Sequence, residues 1–111
     1  MISSDVIRGH IDTLILKLLI EKDMYGYELA NEIKNRTQDK FNIKEATLYS
    51  VVQRLEGKKI IASYMGEKTH GGKRRYYKIT PFGKAYYSEM ISEWKLLKEI
   101  MVAILGSDIR E

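Results

Sequence analysis

Residues 44–80, KEATLYSVVQRLEGKKIIASYMGEKTHGGKRRYYKIT, contain one helix and one hairpin, and side-chain spacing separates the two. At about 100° per residue, Leu48, Val51, Val52 and Leu55 fall within one arc of a helix running from about Lys44 to Lys58. Ala46, Ser50, Gln53 and Gly57 fall on the opposite arc, with Thr47, Tyr49 and Arg54 on its shoulders. That outer face is small and polar, so a macromolecule can approach it closely; an ordinary exposed helix is the plainer reading of Ala46 and Ser50 taken alone. After it come IIASYM (60–65) and RRYYKIT (74–80), rich in β-branched and aromatic residues. The intervening GEKTHGGK, with its Gly-Gly pair, marks a hairpin with a mobile tip.

Upstream, Ser3 or Ser4 caps a first helix, with Asp5 in its first turn, spanning about residues 5–21. Ile7, Ile11, Leu14 and Leu18 form one stripe, while Leu16 and Ile20 lie on the far side, so one small domain is not expected to cover the helix. Asp23 and Gly26 break the pattern. YGYELANEIKNRT (25–37) then reads as a second helix with Leu29, Ile33 and either Tyr25 or Ala30 inward, followed by a short extended piece from Phe41 to Ile43. Downstream of the hairpin, Thr80 caps a last helix whose first position is Pro81, where a missing amide costs nothing.

Three helices followed by a hairpin make a winged helix-turn-helix. The predicted fold is mainly α with a small β-hairpin: residues 1–79 form a winged DNA-binding domain and residues 80–111 a C-terminal dimerisation helix. In the last helix Tyr87, Met90, Trp94, Leu97, Met101 and Ile104 follow the 3-4 spacing of a coiled-coil seam, flanked by Tyr86, Ile91, Ile100 and Leu105. A second copy is the simplest occupant of so wide a stripe, with Glu93 and Lys98 placed to set the pairing. Trp94, the single tryptophan, sits mid-seam among deformable methionines, either as dimer core or as the wall of a site for a flat aromatic effector.

The net charge of +4 is uneven. Residues 44–78 carry nine basic and three acidic side chains, +6 in all, which leaves the rest of the chain at −2. Positive charge confined to the third helix and the hairpin points to a polyanion, most simply double-stranded DNA. Lys73, Arg74 and Arg75 are placed for backbone or minor-groove contact and Lys44 for contact with the DNA; Thr47, Ser50, Gln53 and Arg54 are placed to read base edges.

Other classes fare worse. Zero cysteines exclude disulfides and thiolate metal sites and suit the cytoplasm. Two isolated histidines, His10 and His70, leave little for metal binding, and no cofactor is expected. The longest apolar run, Leu14–Ile20, is broken by Lys17, so no membrane helix is expected, and charges near the N-terminus disfavour an export signal. Gly66 and Gly71 are followed by Gly72 where a phosphate loop needs lysine, and no nucleophile or zinc-protease motif occurs, so the chain is not expected to be an enzyme. The remaining rival is a winged module that docks another protein.

The pieces YGYE (25–28), ATLY (46–49), RLE (54–56), GGKRRYY (71–77) and ITPFG (79–83), in this order and spacing, resemble PadR-type transcriptional regulators, in particular the small subgroup with a single C-terminal helix. The resemblance implies a homodimeric bacterial repressor that binds a palindromic operator and releases it when a small molecule binds. It implies that Thr47 and Tyr49 sit at the groove and that the Tyr27 hydroxyl reaches a phosphate. In the similar multidrug-responsive repressors, the tryptophan matching Trp94 lines a pore at the dimer centre where planar aromatic compounds stack. Ala46 departs from the glycine common in the family.

Overall fold

The computed structural model describes residues 2–67 and 72–109. The first helix is not continuous. A short α1 (Ser4–Ile7), capped by Ser3 Oγ accepting from the Val6 amide at 3.4 Å, gives way to a 3₁₀ turn over Arg8–His10, and α2 runs from Ile11 to Glu21. Gly9 lies at the break, where the absence of a Cβ weakens helical preference, and His10 departs from helical geometry (φ −119°, ψ −5°). The expectation that one small domain leaves the far side of the first helix uncovered is corrected for Leu16, though Ile20 does stay exposed. α2 packs on α3 (Gly26–Arg36), α4 (Glu45–Gly57), β3 (Arg75–Ile79) and α5 (Pro81–Leu105), so Ile11, Ile15, Leu16, Leu18 and Leu19 are all buried and Ile20 is exposed.

The sheet has three strands rather than two. β2 (Ile61–Met65) and β3 form the expected antiparallel hairpin, with Tyr64 opposite Tyr76 and Ser63 opposite Tyr77. β1, only Met24–Tyr25, joins the other edge of β3, placing Met24 opposite Tyr77 and Tyr25 opposite Tyr76 in the order β1-β3-β2. The expected hairpin tip includes residues 68–71, which lie outside the described residues. The segment 41–43 pairs with no strand; Phe41 is buried instead, its amide donating to Thr37 Oγ1 at 3.2 Å beyond a turn in which Gln38 and Asp39 take positive φ.

α3 begins where the Tyr25 amide donates to the Glu28 side chain at 3.2 Å. α4 turns Leu48, Val51, Val52 and Leu55 into the core, the four residues its spacing selected. Thr80 does double duty at the start of α5: its hydroxyl accepts from the Gly83 amide at 2.9 Å and donates to the carbonyls of Lys59 and Ile60, locking the helix onto the end of α4. A Cβ at Gly83 would lie 2.0 Å from the Ile60 carbonyl oxygen, so only glycine permits this approach. From there α5 leaves the domain, and the molecule measures 52 × 30 × 21 Å.

Candidate nucleic-acid interface

The polar arc of α4 is open. Ala46, Ser50 and Gln53 are exposed and Thr47 is half-buried. Lys44, exposed, occupies the N-cap of this helix, next to its positive dipole end. Tyr49 leans from α4 onto the start of α3: a Cβ at Gly26 would lie 2.9 Å from its hydroxyl, so the glycine makes room for the ring. Tyr27 and Tyr49 line one groove with Ala30, Ile43 and Glu45, and both rings remain well exposed, Tyr27 at 68%. The structure thus brings together two tyrosines that lie 22 positions apart in sequence.

Arg54 stands apart from this face. Its Nη1 and Nη2 donate to the two carboxylate oxygens of Asp12 on α2 at 3.0 and 2.7 Å. These hydrogen bonds, chiefly, hold the guanidinium above its ordinary arginine pKa. In this arrangement Arg54 braces α4 against α2 while Ser50 and Gln53 face outward.

The wing's cations do not form one cluster. Successive residues of a strand point to opposite faces, and Arg74 and Arg75 separate accordingly. Arg75 lies with Ser63 and Tyr77 on the face toward the helices; its Nη1 donates to Ser63 Oγ at 3.0 Å, and that hydroxyl donates to Glu56 on α4. Arg74 lies on the outer face, where its Nη1 donates to Tyr25 OH at 3.0 Å. Lys73 is exposed just before them. A continuous set of contacts therefore runs from the wing to α4 through Ser63 and Glu56, and from the wing to the head of α3 through Tyr25. Sequence spacing did not reveal Tyr25, Ser63, Glu56 or Asp12 as part of this region. The alternation within RRYY was the one signal available for separating the two arginines.

The seam on α5 divides in two. Tyr86, Tyr87 and Met90 pack against the chain's own core, with Thr13 Oγ1 donating to Met90 Sδ at 3.7 Å. Beyond them Trp94, Leu97, Met101 and Ile104 are exposed, Ile104 at 82%. Trp94 borders a cleft with Gly9, His10, Thr13, Met90, Glu93 and Leu97, and Lys98 Nζ lies 5.9 Å from the indole centre. Among the described residues no group of three or more His, Cys, Asp or Glu side chains is arranged to hold a metal ion, and no helix is long and apolar enough to cross a membrane.

Residues 15–89 match the model of the transcriptional regulator PadR-like family, more than half of the chain. The chain belongs to the PadR-like family. Its members are transcriptional regulators, not enzymes. A protein of Lysinibacillus sphaericus is 58% identical over 101 residues, covering 91% of this chain and 93% of its own. A transcriptional regulator from Clostridium thermocellum has a structure 49% identical in sequence, with a TM-score of 0.87 over 96% of this chain and all of that one. Bacillus subtilis PadR in complex with operator DNA shares the fold at 19% identity and a TM-score of 0.67, over 77% of this chain and 48% of that one. In this PadR-like regulator, then, the winged helix-turn-helix and the long C-terminal helix expected from the sequence are both present.

Proposed function

We propose that this PadR-like regulator is a cytoplasmic homodimer that binds duplex DNA at a palindromic operator and represses transcription from it. Residues 1–79 form the DNA-binding unit and residues 80–111 the dimerisation helix. The observation that carries the reading is the contact path joining three surfaces: Tyr49 of α4 over Gly26, Tyr25 beside Gly26 at the head of α3, and Arg74 of the wing on Tyr25. Elements tied together in this way present the open α4 face and the wing cations as one unit. Lys44, Lys73, Arg74 and Arg75, with the hydroxyl of Tyr27, supply phosphate contacts; Thr47, Tyr49, Ser50 and Gln53 enter the major groove. The operator complex of Bacillus subtilis PadR, on the same fold, is consistent with this use of it.

The uncovered part of the α5 seam, from Trp94 to Ile104, takes a second copy, and a twofold pair presents two α4 helices to two half-sites. A small, planar aromatic effector stacks on Trp94 in the cleft between α2 and α5 and releases the DNA. Selection of bound fragments from random duplex DNA tests the first part: enrichment of an inverted repeat supports it, and no enrichment counts against it. Titration of Trp94 fluorescence with planar dyes tests the second: emission that stays constant to saturating dye removes the effector site.

A further inference from the structure

The outer face of the sheet carries a row of three tyrosines, one from each strand. Tyr25 of β1 and Tyr64 of β2 both sit opposite Tyr76 of β3. Tyr76 meets Tyr25 edge to face, with ring centres 5.4 Å apart, and stacks on Tyr64 at 5.7 Å. The far end of the row is fixed by Tyr64 OH donating to Asp23 at 2.6 Å, and Tyr76 lies across Gly66, where a Cβ would come within 2.4 Å of its ring. At the near end is Arg74. Its guanidinium carbon lies 4.5 Å from the centre of the Tyr25 ring, its Nη1 donates to the Tyr25 hydroxyl at 3.0 Å, and its carbonyl accepts from the Gly66 amide at 2.7 Å.

A surface arginine ordinarily has several rotatable bonds and loses their freedom when it grips a phosphate. Here the backbone, the face of the guanidinium and one of its donors are all held before any partner arrives. Among the described residues one N–H of five is engaged, by Tyr25, and the others are left for a bidentate phosphate contact. The Tyr25 ring is itself wedged against Tyr76, so the support is rigid. On the reading of the chain as a DNA-binding protein, we propose that Tyr25 is a positioning residue: it pre-sets Arg74 of the wing for a DNA phosphate. Being the residue just before α3, Tyr25 also fixes the wing's phosphate contact relative to the helices that enter the groove.

The test uses the full chain and a duplex enriched from a random pool by the wild-type protein, titrated across about 50–200 mM salt. Tyr25→Phe keeps the ring and removes the hydroxyl. It is expected to weaken binding about fivefold per protomer, the worth of one hydrogen bond, with an unchanged salt slope. Arg74→Ala is expected to lower the slope by about 1.8, the loss of one phosphate contact in each protomer of the dimer. The double variant should bind no more weakly than Arg74→Ala alone, which a merely structural role for Tyr25 would not produce. Arg74→Lys, which leaves Tyr25 intact and keeps the charge, should also bind less tightly than wild type, because an ammonium cannot use the planar seat. Tyr25→Phe binding as tightly as wild type or tighter, a full extra loss in the double variant, or wild-type affinity in Arg74→Lys would each overturn the proposal. Wild-type binding that is shallow in salt would instead show that the DNA reading itself fails, and this proposal with it.

Discussion

Arg54 of α4 and Asp12 of α2 form a two-pronged ion pair across 42 positions of sequence, with N–O distances of 3.0 and 2.7 Å. Asp12 is largely covered, its side chain retaining 15% of its accessible surface, while Arg54 keeps 45%. The pair sets how α4, the helix we assign to the major groove, is seated on the domain. Arg54→Ala therefore acts on seating first: a loss of about 1 kcal/mol in urea denaturation, after allowance for exposure, with base preference unchanged. A changed preferred sequence in the selected pool would return Arg54 to the reading face.

Among the described glycines Gly83 has the tightest fit. With the Ile60 carbonyl 2.0 Å from where a methyl group would sit, and that oxygen already engaged by Thr80, Gly83→Ala has to push α5 off the end of α4. We expect a loss of about 3 kcal/mol in chemical denaturation, well above the few tenths typical of surface changes. Stability equal to wild type would mean that the junction is not rigid.

Glu21 on α2 accepts hydrogen bonds from Arg36 on α3, which also reaches Glu32 at 3.2 Å. These bonds, chiefly, hold the Glu21 carboxyl below its ordinary value of 4.5. A carboxyl with a lowered folded-state pKa contributes stability that is present above its unfolded value and lost as pH falls through its folded value. Glu21→Gln should therefore be less stable than wild type at neutral pH, and the two melting temperatures should converge as pH falls below the ordinary carboxylate range. A gap that persists undiminished at low pH would assign the effect to packing.

Leu97 lies in the exposed part of the α5 seam, outside the chain's own core and at the edge of the Trp94 cleft. Leu97→Asp places a charge where the second copy would pack and should yield a folded monomer by sedimentation, with operator affinity lowered at least tenfold because the two half-sites are no longer bound by one unit. An intact dimer would move the interface elsewhere.

Much of this was legible in the sequence, for identifiable reasons. The four apolar residues of α4 recur at helical spacing, and the β-branched runs around a Gly-Gly pair permit little except a hairpin. Thr80 and Pro81 announce the start of α5 by local chemistry alone. What escaped depends on distant partners. β1 is two residues long, too short to show alternation, and exists only because β3, about fifty residues later, offers it an edge. Leu16, on the far side of the first helix, is buried because α3, α4, β3 and α5 all pack on α2, which no local spacing shows. The ion pair of Arg54 with Asp12 leaves no trace in the spacing of α4. Arg74 and Arg75 could have been separated by strand alternation, but three adjacent cations invited reading as one cluster.

The salt dependence of duplex affinity for the selected operator tests the central claim most directly. Phosphate contacts from two protomers predict a steep linear fall of log K with log salt, about −0.9 per phosphate neutralised, with Gln53→Ala changing the preferred sequence and leaving that slope intact. A slope near zero, or affinity for duplex DNA that Gln53→Ala and Lys73→Ala both leave untouched, would contradict the assignment of α4 and the wing as the DNA-binding surface.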